Sequence, residues 1–218
     1  MLKERIPETN VGIQEEFDVE VFDKWMKQTT KEKWFKVNAI IEEGIVSGKS
    51  MEIGPGPGYL GLEWLKKTEN TTLVAVEISK AMIEISKRNF TNERLLERIQ
   101  YVNSNAMSIP LEDNSFENSF SNGSLHEWEI PERVFNEVFR VLKPGGKFFV
   151  SDLRRDMNKL TLNMIKMSVK GSDMKKGFMT SWQASYTVKE LEDIIGRTMF
   201  KDYEIKEEPG GLIFVGKK

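Results

Sequence analysis

The chain has 218 residues, enough for one domain with a full core, and its 32 basic and 34 acidic residues leave a formal charge of −2. That balance, without a long basic run, gives no nucleic-acid footprint, and the absence of cysteine removes disulfides, thiolate metal ligands and cysteine nucleophiles. No apolar run approaches the roughly 18 residues of a membrane span, and Met1-Leu2-Lys3-Glu4-Arg5 lacks the apolar stretch of a signal peptide, so the expectation is a soluble cytoplasmic protein.

Residues 1–14 read as a loose polar arm. From about Phe17 to Gly44 the spacing is helical: Phe17, Val21, Phe22 and Trp25 share one face, and Trp34, Val37, Ile40 and Ile41 share another. Thr29-Thr30 marks a break, with Thr30 as a candidate N-cap. Lys49 to Ile53 is the first strand. It runs into Gly54-Pro55-Gly56-Pro57-Gly58, where glycines at alternate positions let the backbone bend sharply and a ligand come close. A helix follows, with Leu60, Trp64 and Leu65 on one face, and its start offers free N–H groups. Leu73-Val74-Ala75-Val76 is a continuous apolar run, as in a strand buried on both faces, and ends at Glu77. Ser79 caps a helix to about Asn89, a further helical piece covers Glu93–Arg98, and Gln100 to Asn103 is a third strand.

Ser115 to Asn122 is a fourth strand, poor in apolar residues. Pro131 opens a helix whose apolar face is Val134, Phe135, Val138, Val141 and Leu142, and Lys143-Pro144-Gly145-Gly146 stops it. Lys147 to Ser151 is the fifth strand. Residues 153–186 break the alternation with a methionine-rich helix (Met157, Leu160, Met164, Ile165, Met167), read as core packing or as an adaptable apolar pocket wall, and a loop holding Gly171, Gly177, Trp182 and Tyr186. Thr187 and Glu190 form a capping box for a helix to about Gly196. Tyr203–Glu207 and Leu212–Val215 flank Pro209-Gly210-Gly211 as an antiparallel hairpin. Alternating strands and helices argue a parallel α/β sheet. The domain reading is one domain over 1–218, with a helical N-terminal segment over 1–44 and a helical insertion over 153–186.

The glycine spacing is G-x-G-x-G, not the G-x-G-x-x-G of dinucleotide-binding turns. With Glu52 before it, the segment resembles motif I of the class I S-adenosylmethionine-dependent methyltransferases. Three further segments fall where that family has them. Glu77 ends the second strand. Ser104-Asn105-Ala106 with Ile109-Pro110 is similar to the family's G-D-A…L-P. Leu142-Lys143-Pro144-Gly145-Gly146 is similar to its L-K-P-G-G. Ser121-Asn122-Gly123-Ser124-Leu125-His126-Glu127-Trp128 also resembles the S-x-x-S-L-H-H-W loop of small-molecule members. The resemblance covers roughly residues 45–155 and the terminal strands. Asn105 stands for a more usual aspartate, and Glu77 for a frequent one.

The resemblance implies a seven-stranded, mostly parallel sheet with helices on both faces and a C-terminal antiparallel hairpin. It implies S-adenosylmethionine as cofactor, S-adenosylhomocysteine as product and a small-molecule methyl acceptor, with neither nucleic acid nor membrane as partner and no metal. The cofactor residues it implies are Glu52, Gly54, Pro55, Gly56, Gly58, Glu77, Ile78, Met82, Asn105, Ala106, Asn122, Gly123 and Ser124. Glu77 would accept both ribose hydroxyls, and Asn105 would meet the adenine amine. The aromatics of the N-terminal helices read as core packing against the sheet, and the resemblance offers a lid over the cofactor as the alternative. Transfer from a sulfonium needs alignment more than a nucleophile or metal, since the leaving group is built in.

His126, the only histidine, is either a positional residue or a general base beside the methyl group. Asp152, ending strand five, is the second catalytic candidate. Arg154-Arg155 reads as a solvated pair or an anchor for an acidic substrate, and Trp182 and Tyr186 as packing or substrate contacts. Other functions stay open: a cofactor-binding regulatory protein without transferase activity, and a protein or nucleic-acid methyltransferase. The loop after strand four lacks the Asn/Asp-Pro-Pro-aromatic pattern of many nucleic-acid enzymes. A nicotinamide dehydrogenase would leave the Leu-Lys-Pro-Gly-Gly and Ser-Asn-Ala segments unexplained.

Overall fold

The structure, a computed structural model, describes residues 4–8, 16–31 and 36–218, and for 16–18 and 29–31 the backbone alone. Trp34 and the side chain of Phe17 therefore lie outside the described residues.

Seven strands form one sheet: β1 (Gly48–Ile53), β2 (Thr71–Glu77), β3 (Ile99–Asn103), β4 (Phe116–Asn122), β5 (Leu142–Leu153), β6 (Asp202–Glu207) and β7 (Gly211–Lys217). Their spatial order is β3-β2-β1-β4-β5-β7-β6. The first five are mutually parallel, and β7 pairs antiparallel with both β5 and β6. The order reverses between β1 and β4, and at such a switch point the loops leaving two neighbouring strands part to opposite faces and open a crevice.

Helices cover both faces. They are α1 (Glu16–Lys31), α2 (Val37–Glu42), α3 (Tyr59–Lys67), α4 (Lys80–Asn92), α5 (Pro131–Val141), α6 (Lys159–Ser168), α7 (Ser172–Ala184) and α8 (Val188–Gly196). Side chains alternate across each strand, so Phe148 and Val150 enter one core with Phe135, Leu191 and Phe200 of the α5–α8 side. Phe149 and Phe120 enter the other with Trp64, Leu60 and Phe90 of the α3–α4 side. β4 reads as poor in apolar residues yet lies at the centre. Its Ser119 and Ser121 hydroxyls donate to the Met51 and Ile53 carbonyls at 2.9 and 2.8 Å, so its buried polar atoms are satisfied by β1.

Several expected boundaries are corrected. α1 runs unbroken through Thr29-Thr30, so Thr30 caps no second helix, and α2 starts only at Val37. The helical piece at Glu93–Arg98 is a single 3₁₀ turn, Leu96–Arg98. Lys143-Pro144-Gly145-Gly146 belongs to β5, because the Gly145 N–H donates to the Lys218 carbonyl and the Lys218 N–H to that of Gly146, extending the pairing to the C-terminus. The expected loop with Gly177 and Trp182 is helix α7, started after Gly171, whose left-handed φ of +89° separates it from α6. The methionine face of α6 is not core: Leu160, Met164 and Met167 are 71%, 63% and 80% exposed. This helix meets the sheet only along an edge, with Ile165 against Gly210 of the β6–β7 turn. The Thr187–Glu190 capping box of α8 forms as read.

Candidate active site

The carboxyl ends of β1, β2, β4 and β5 open into a cavity of about 950 Å³. Its floor is the glycine turn after β1. Gly54 and Gly56 have φ of +63° and +52°, a region that costs other residues a Cβ–carbonyl clash. A Cβ on Gly54 would also stand 2.3 Å from the Ser124 hydroxyl, so the β1 turn and the β4 loop touch only because this residue has no side chain.

Glu77 ties this turn to β2. Its Oε2 accepts the Gly56 N–H at 3.1 Å and its Oε1 the Ser79 N–H at 2.9 Å, which leaves further lone pairs on both oxygens. Burial raises its carboxyl above the ordinary range, and the backbone amides of Ser79, Gly56 and Ile78 oppose the rise. Glu52, at the end of β1, is 2% exposed and its Oε2 has no hydrogen-bond partner. Burial, with the neighbouring Glu77 charge, pushes its carboxyl up to about 8. Asn105 turns its Oδ1 to its own loop, accepting the Met107 N–H at 2.8 Å. Asn122 accepts the Ser151 hydroxyl at 2.7 Å, and Gly123 donates to the Ser151 carbonyl at 2.8 Å, so the β4 loop is fixed to β5.

Of the cofactor residues expected from sequence, Glu52, Gly54, Pro55, Gly56, Glu77, Ile78, Met82, Asn105, Ala106, Asn122, Gly123 and Ser124 line this one cavity. Gly58 does not. It is the left-handed N-cap of α3, and a Cβ there would stand 2.3 Å from the Ser86 hydroxyl and 2.9 Å from the Phe90 ring, so its need for glycine comes from α3–α4 packing.

His126 and Asp152 also line the cavity, in contact with each other. The His126 Nδ1 lies 2.9 Å from both Asp152 oxygens, and its Nε2 lies 3.2 Å from a Glu8 oxygen. Burial disfavours the imidazolium, but Asp152 and Glu8 outweigh it and hold the ring well above the ordinary histidine range. A ring that keeps its proton at neutral pH and spends both nitrogens on carboxylates has the character of a positional residue, not of a free base.

Glu8 reaches the site because residues 4–8 are docked, contrary to the reading of a loose arm. Arg5 donates to the Ala184 carbonyl at 2.5 Å and the His126 carbonyl at 3.0 Å, and its guanidinium lies 4.1 Å from the centre of the Tyr186 ring. Tyr186 is thereby buried in the core, and neither it nor Trp182 lines the cavity. Arg154 and Arg155 are neither solvated nor available as an anchor. Both are buried, Arg154 paired with Asp156 and Glu207 and Arg155 with Glu190.

Glu127 is the residue the sequence reading passed over. It follows His126 in the 3₁₀ turn Leu125–Glu127 and faces the cavity. Glu127 is itself exposed to that space. The protein atoms crowding its carboxyl, with Glu8, Glu77 and Asp152 nearby and His126 opposing, raise it to about 7. The signal was present: Glu127 stands where the S-x-x-S-L-H-H-W pattern has its second histidine. Glu8 carried none. Glu8, His126 and Glu127 place one donor atom each within 4.8 Å of one another.

Residues 51–150 match the family model of the methyltransferase domain. The chain is 26% identical over 100 residues to a ubiquinone/menaquinone biosynthesis C-methyltransferase of a Ruegeria species, covering 46% of this chain and 40% of that protein. It is 29% identical over 144 residues to an uncharacterised Methanocaldococcus jannaschii protein, covering 62% of each. The matches span 37% to 62% of the length of the curated relatives. A crystal structure from Methanococcus maripaludis, assigned to the S-adenosyl-L-methionine-dependent methyltransferases, superposes with a TM-score of 0.74 at 26% identity, covering 95% of this chain and 97% of that one. No helix among the described residues is long and apolar enough to cross a membrane. The strand order, the glycine turn at the switch point and these likenesses agree: the chain has the fold of the class I S-adenosylmethionine-dependent methyltransferases, and residues 51–150 match the methyltransferase domain model.

Proposed function

We propose that the protein transfers a methyl group from S-adenosylmethionine to a small-molecule acceptor and releases S-adenosylhomocysteine. The observation that carries this reading is the joint placement of Gly54, Gly56 and Glu77. A glycine turn that brings backbone close to a ligand is stitched to a buried carboxylate, whose spare lone pairs suit a pair of ribose hydroxyls.

The residues present fit that cofactor. The Glu52 carboxyl lines the cavity beside the turn and is an acidic group for a cation bound there, while its unpartnered Oε2 is buried against Gly61. Asn105 and Ala106 on the β3 exit, with Ile78 and Met82, offer a polar edge and an apolar wall for an adenine ring. When bound, the cofactor supplies a methyl carbon on a positively charged sulfur that leaves as a neutral thioether. The protein's part is to orient and to exclude water. Asn122, Gly123 and Ser124, locked to β5, hold the cavity floor in shape, while Phe22 and Trp25 of α1 and Phe178 of α7 close it from the other side as a lid. In-line alignment of this kind supplies most of the acceleration in a two-reactant transfer. We assign His126 to positioning: its contacts join the N-terminal arm, the β4 loop and β5 at the acceptor side of the cavity.

Calorimetry with S-adenosylhomocysteine and S-adenosylmethionine tests the reading, with saturable one-to-one binding of both expected. No binding at millimolar ligand removes it. Binding without product formation from any metabolite fraction, followed with a labelled methyl donor, would instead favour a regulatory cofactor-binding role.

A further inference from the structure

Resting on that function, we infer that the methyl acceptor is an amine whose nitrogen is met by the Glu127 carboxylate. Among the described residues, the ionisable side chains of the cavity wall away from the glycine turn are Glu8, Glu127, Glu129, Asp152 and Glu208 against Lys36 and His126. Both cations are already committed. Lys36 donates to Glu208 at 2.5 Å, and His126 is held between Asp152 and Glu8. Among the described residues, neither Glu127 nor Glu129 forms a salt bridge, although the His126 ring has a nitrogen within 4.8 Å of the Glu127 carboxylate. An anionic acceptor would therefore enter a wall whose described residues offer no uncommitted positive charge, at a cost that grows as water is excluded. A cationic acceptor supplies the counter-charge the wall lacks. Trp25 and Phe178 line the same cavity, and ring faces attract ammonium groups.

Glu127 also has the proton chemistry this acceptor needs. An ammonium has no lone pair, so it must lose a proton before it attacks. Four charged groups face Glu127: Glu8 from the arm, His126 beside it, Asp152 from β5 and Glu77 from β2. Its carboxyl, raised to about 7, accepts a proton near neutral pH far more readily than an ordinary carboxylate. The step balances. The ammonium gives one proton to Glu127, and the freed nitrogen lone pair forms the new N–C bond. The electron pair of the breaking C–S bond stays on sulfur, and the methylated ammonium departs while Glu127 returns its proton to water. The family-model match ends at residue 150, so the acceptor-side residues Glu8, Asp152 and Glu208 lie outside the part of the chain it covers.

The experiment is calorimetric titration of the S-adenosylhomocysteine-saturated protein with benzylamine, benzyl alcohol and benzoate, which share shape and differ in charge. Benzylamine is expected to bind about tenfold or more tightly than the other two, as a charge-assisted contact predicts. Glu127→Gln should erase most of that preference while leaving S-adenosylhomocysteine affinity unchanged, which also reports that the variant is folded. The inference is overturned if benzoate or benzyl alcohol matches benzylamine, if benzylamine fails to bind at millimolar concentration, or if Glu127→Gln leaves its affinity intact. It is equally overturned if Zn²⁺ or Mn²⁺ binds one-to-one and that binding is lost in Glu127→Gln, since the carboxylates would then serve a metal. Binding of S-adenosylhomocysteine without an amine preference defeats this inference alone, whereas no S-adenosylhomocysteine binding defeats the functional reading beneath it.

Discussion

His126 is held by Asp152 at two points. Its backbone N–H donates to Oδ2 at 2.9 Å, and its ring Nδ1 lies 2.9 Å from both oxygens of the same carboxylate. One residue thus fixes both the main chain and the ring of the β4 loop. The pairing has a measurable consequence, because His126 is the only histidine and its ring proton resonances belong to one group.

An NMR titration of that ring should show a midpoint well above 6.5. A raised histidine value means that the pair's stabilisation is fully present below 6.5 and is lost as pH rises through the folded value. Asp152→Asn should bring the midpoint down and cost about 3–5 kcal/mol in thermal or denaturant unfolding, the usual result of breaking a buried pair. A midpoint at or below the ordinary histidine value would remove His126 from its role as a charged clamp.

The opposite partner set governs Glu52. Its carboxyl moves from 4.5 to about 8 on folding, so the folded state binds the extra proton between those values and stability falls as pH rises through that window. Glu52→Gln should flatten this fall and stabilise the ligand-free protein above pH 8 by about 1–3 kcal/mol, the scale for relieving an unsatisfied buried group. It should also weaken S-adenosylmethionine binding. In the parent protein near neutral pH, binding of the cationic cofactor should release a proton, seen as a dependence of the calorimetric heat on buffer ionisation enthalpy. Identical heats in all buffers would contradict it.

Glu77→Ala should weaken S-adenosylhomocysteine binding about tenfold to a hundredfold, since hydrogen bonds to a charged group contribute about 1.5–3 kcal/mol. The same change frees the Gly56 and Ser79 amides, so some stability should be lost with it. Unchanged affinity would take Glu77 out of the cofactor site.

Asn105 invites a gain of function. Its Oδ1 is engaged by the Met107 N–H, which leaves its Nδ2 as a donor where an exocyclic amine needs an acceptor. Asn105→Asp keeps the Met107 contact on one oxygen and offers the other. We expect S-adenosylhomocysteine affinity to rise by a few-fold to about tenfold, one hydrogen bond's net value. Equal or weaker binding would show that this side chain does not face the adenine edge.

Much of the fold was legible because it depends on local rules. Continuous apolar runs such as Leu73–Val76 make strands buried on both faces, and Thr187 with Glu190 writes its own helix start. The misread segments are those where distant contacts win. Residues 143–146 are strand because Lys218 pairs with them, and the methionine face of α6 is exposed because little of the sheet lies under that helix.

By itself the sequence determined the alternating sheet, the glycine turn after β1 and the acidic residues at the ends of β1 and β2, because each is written in residues adjacent along the chain. Only the tertiary structure decided the electrostatics of the acceptor side. Glu8 lies 118 positions before His126, and Asp152 lies 26 after it. Bringing both carboxylates onto one buried imidazole turns a candidate base into a fixed cation, and it leaves the neighbouring Glu127 as the group poised to take a proton. Charge state depends on what is near in space and on how much water is excluded, and neither is a property of sequence order.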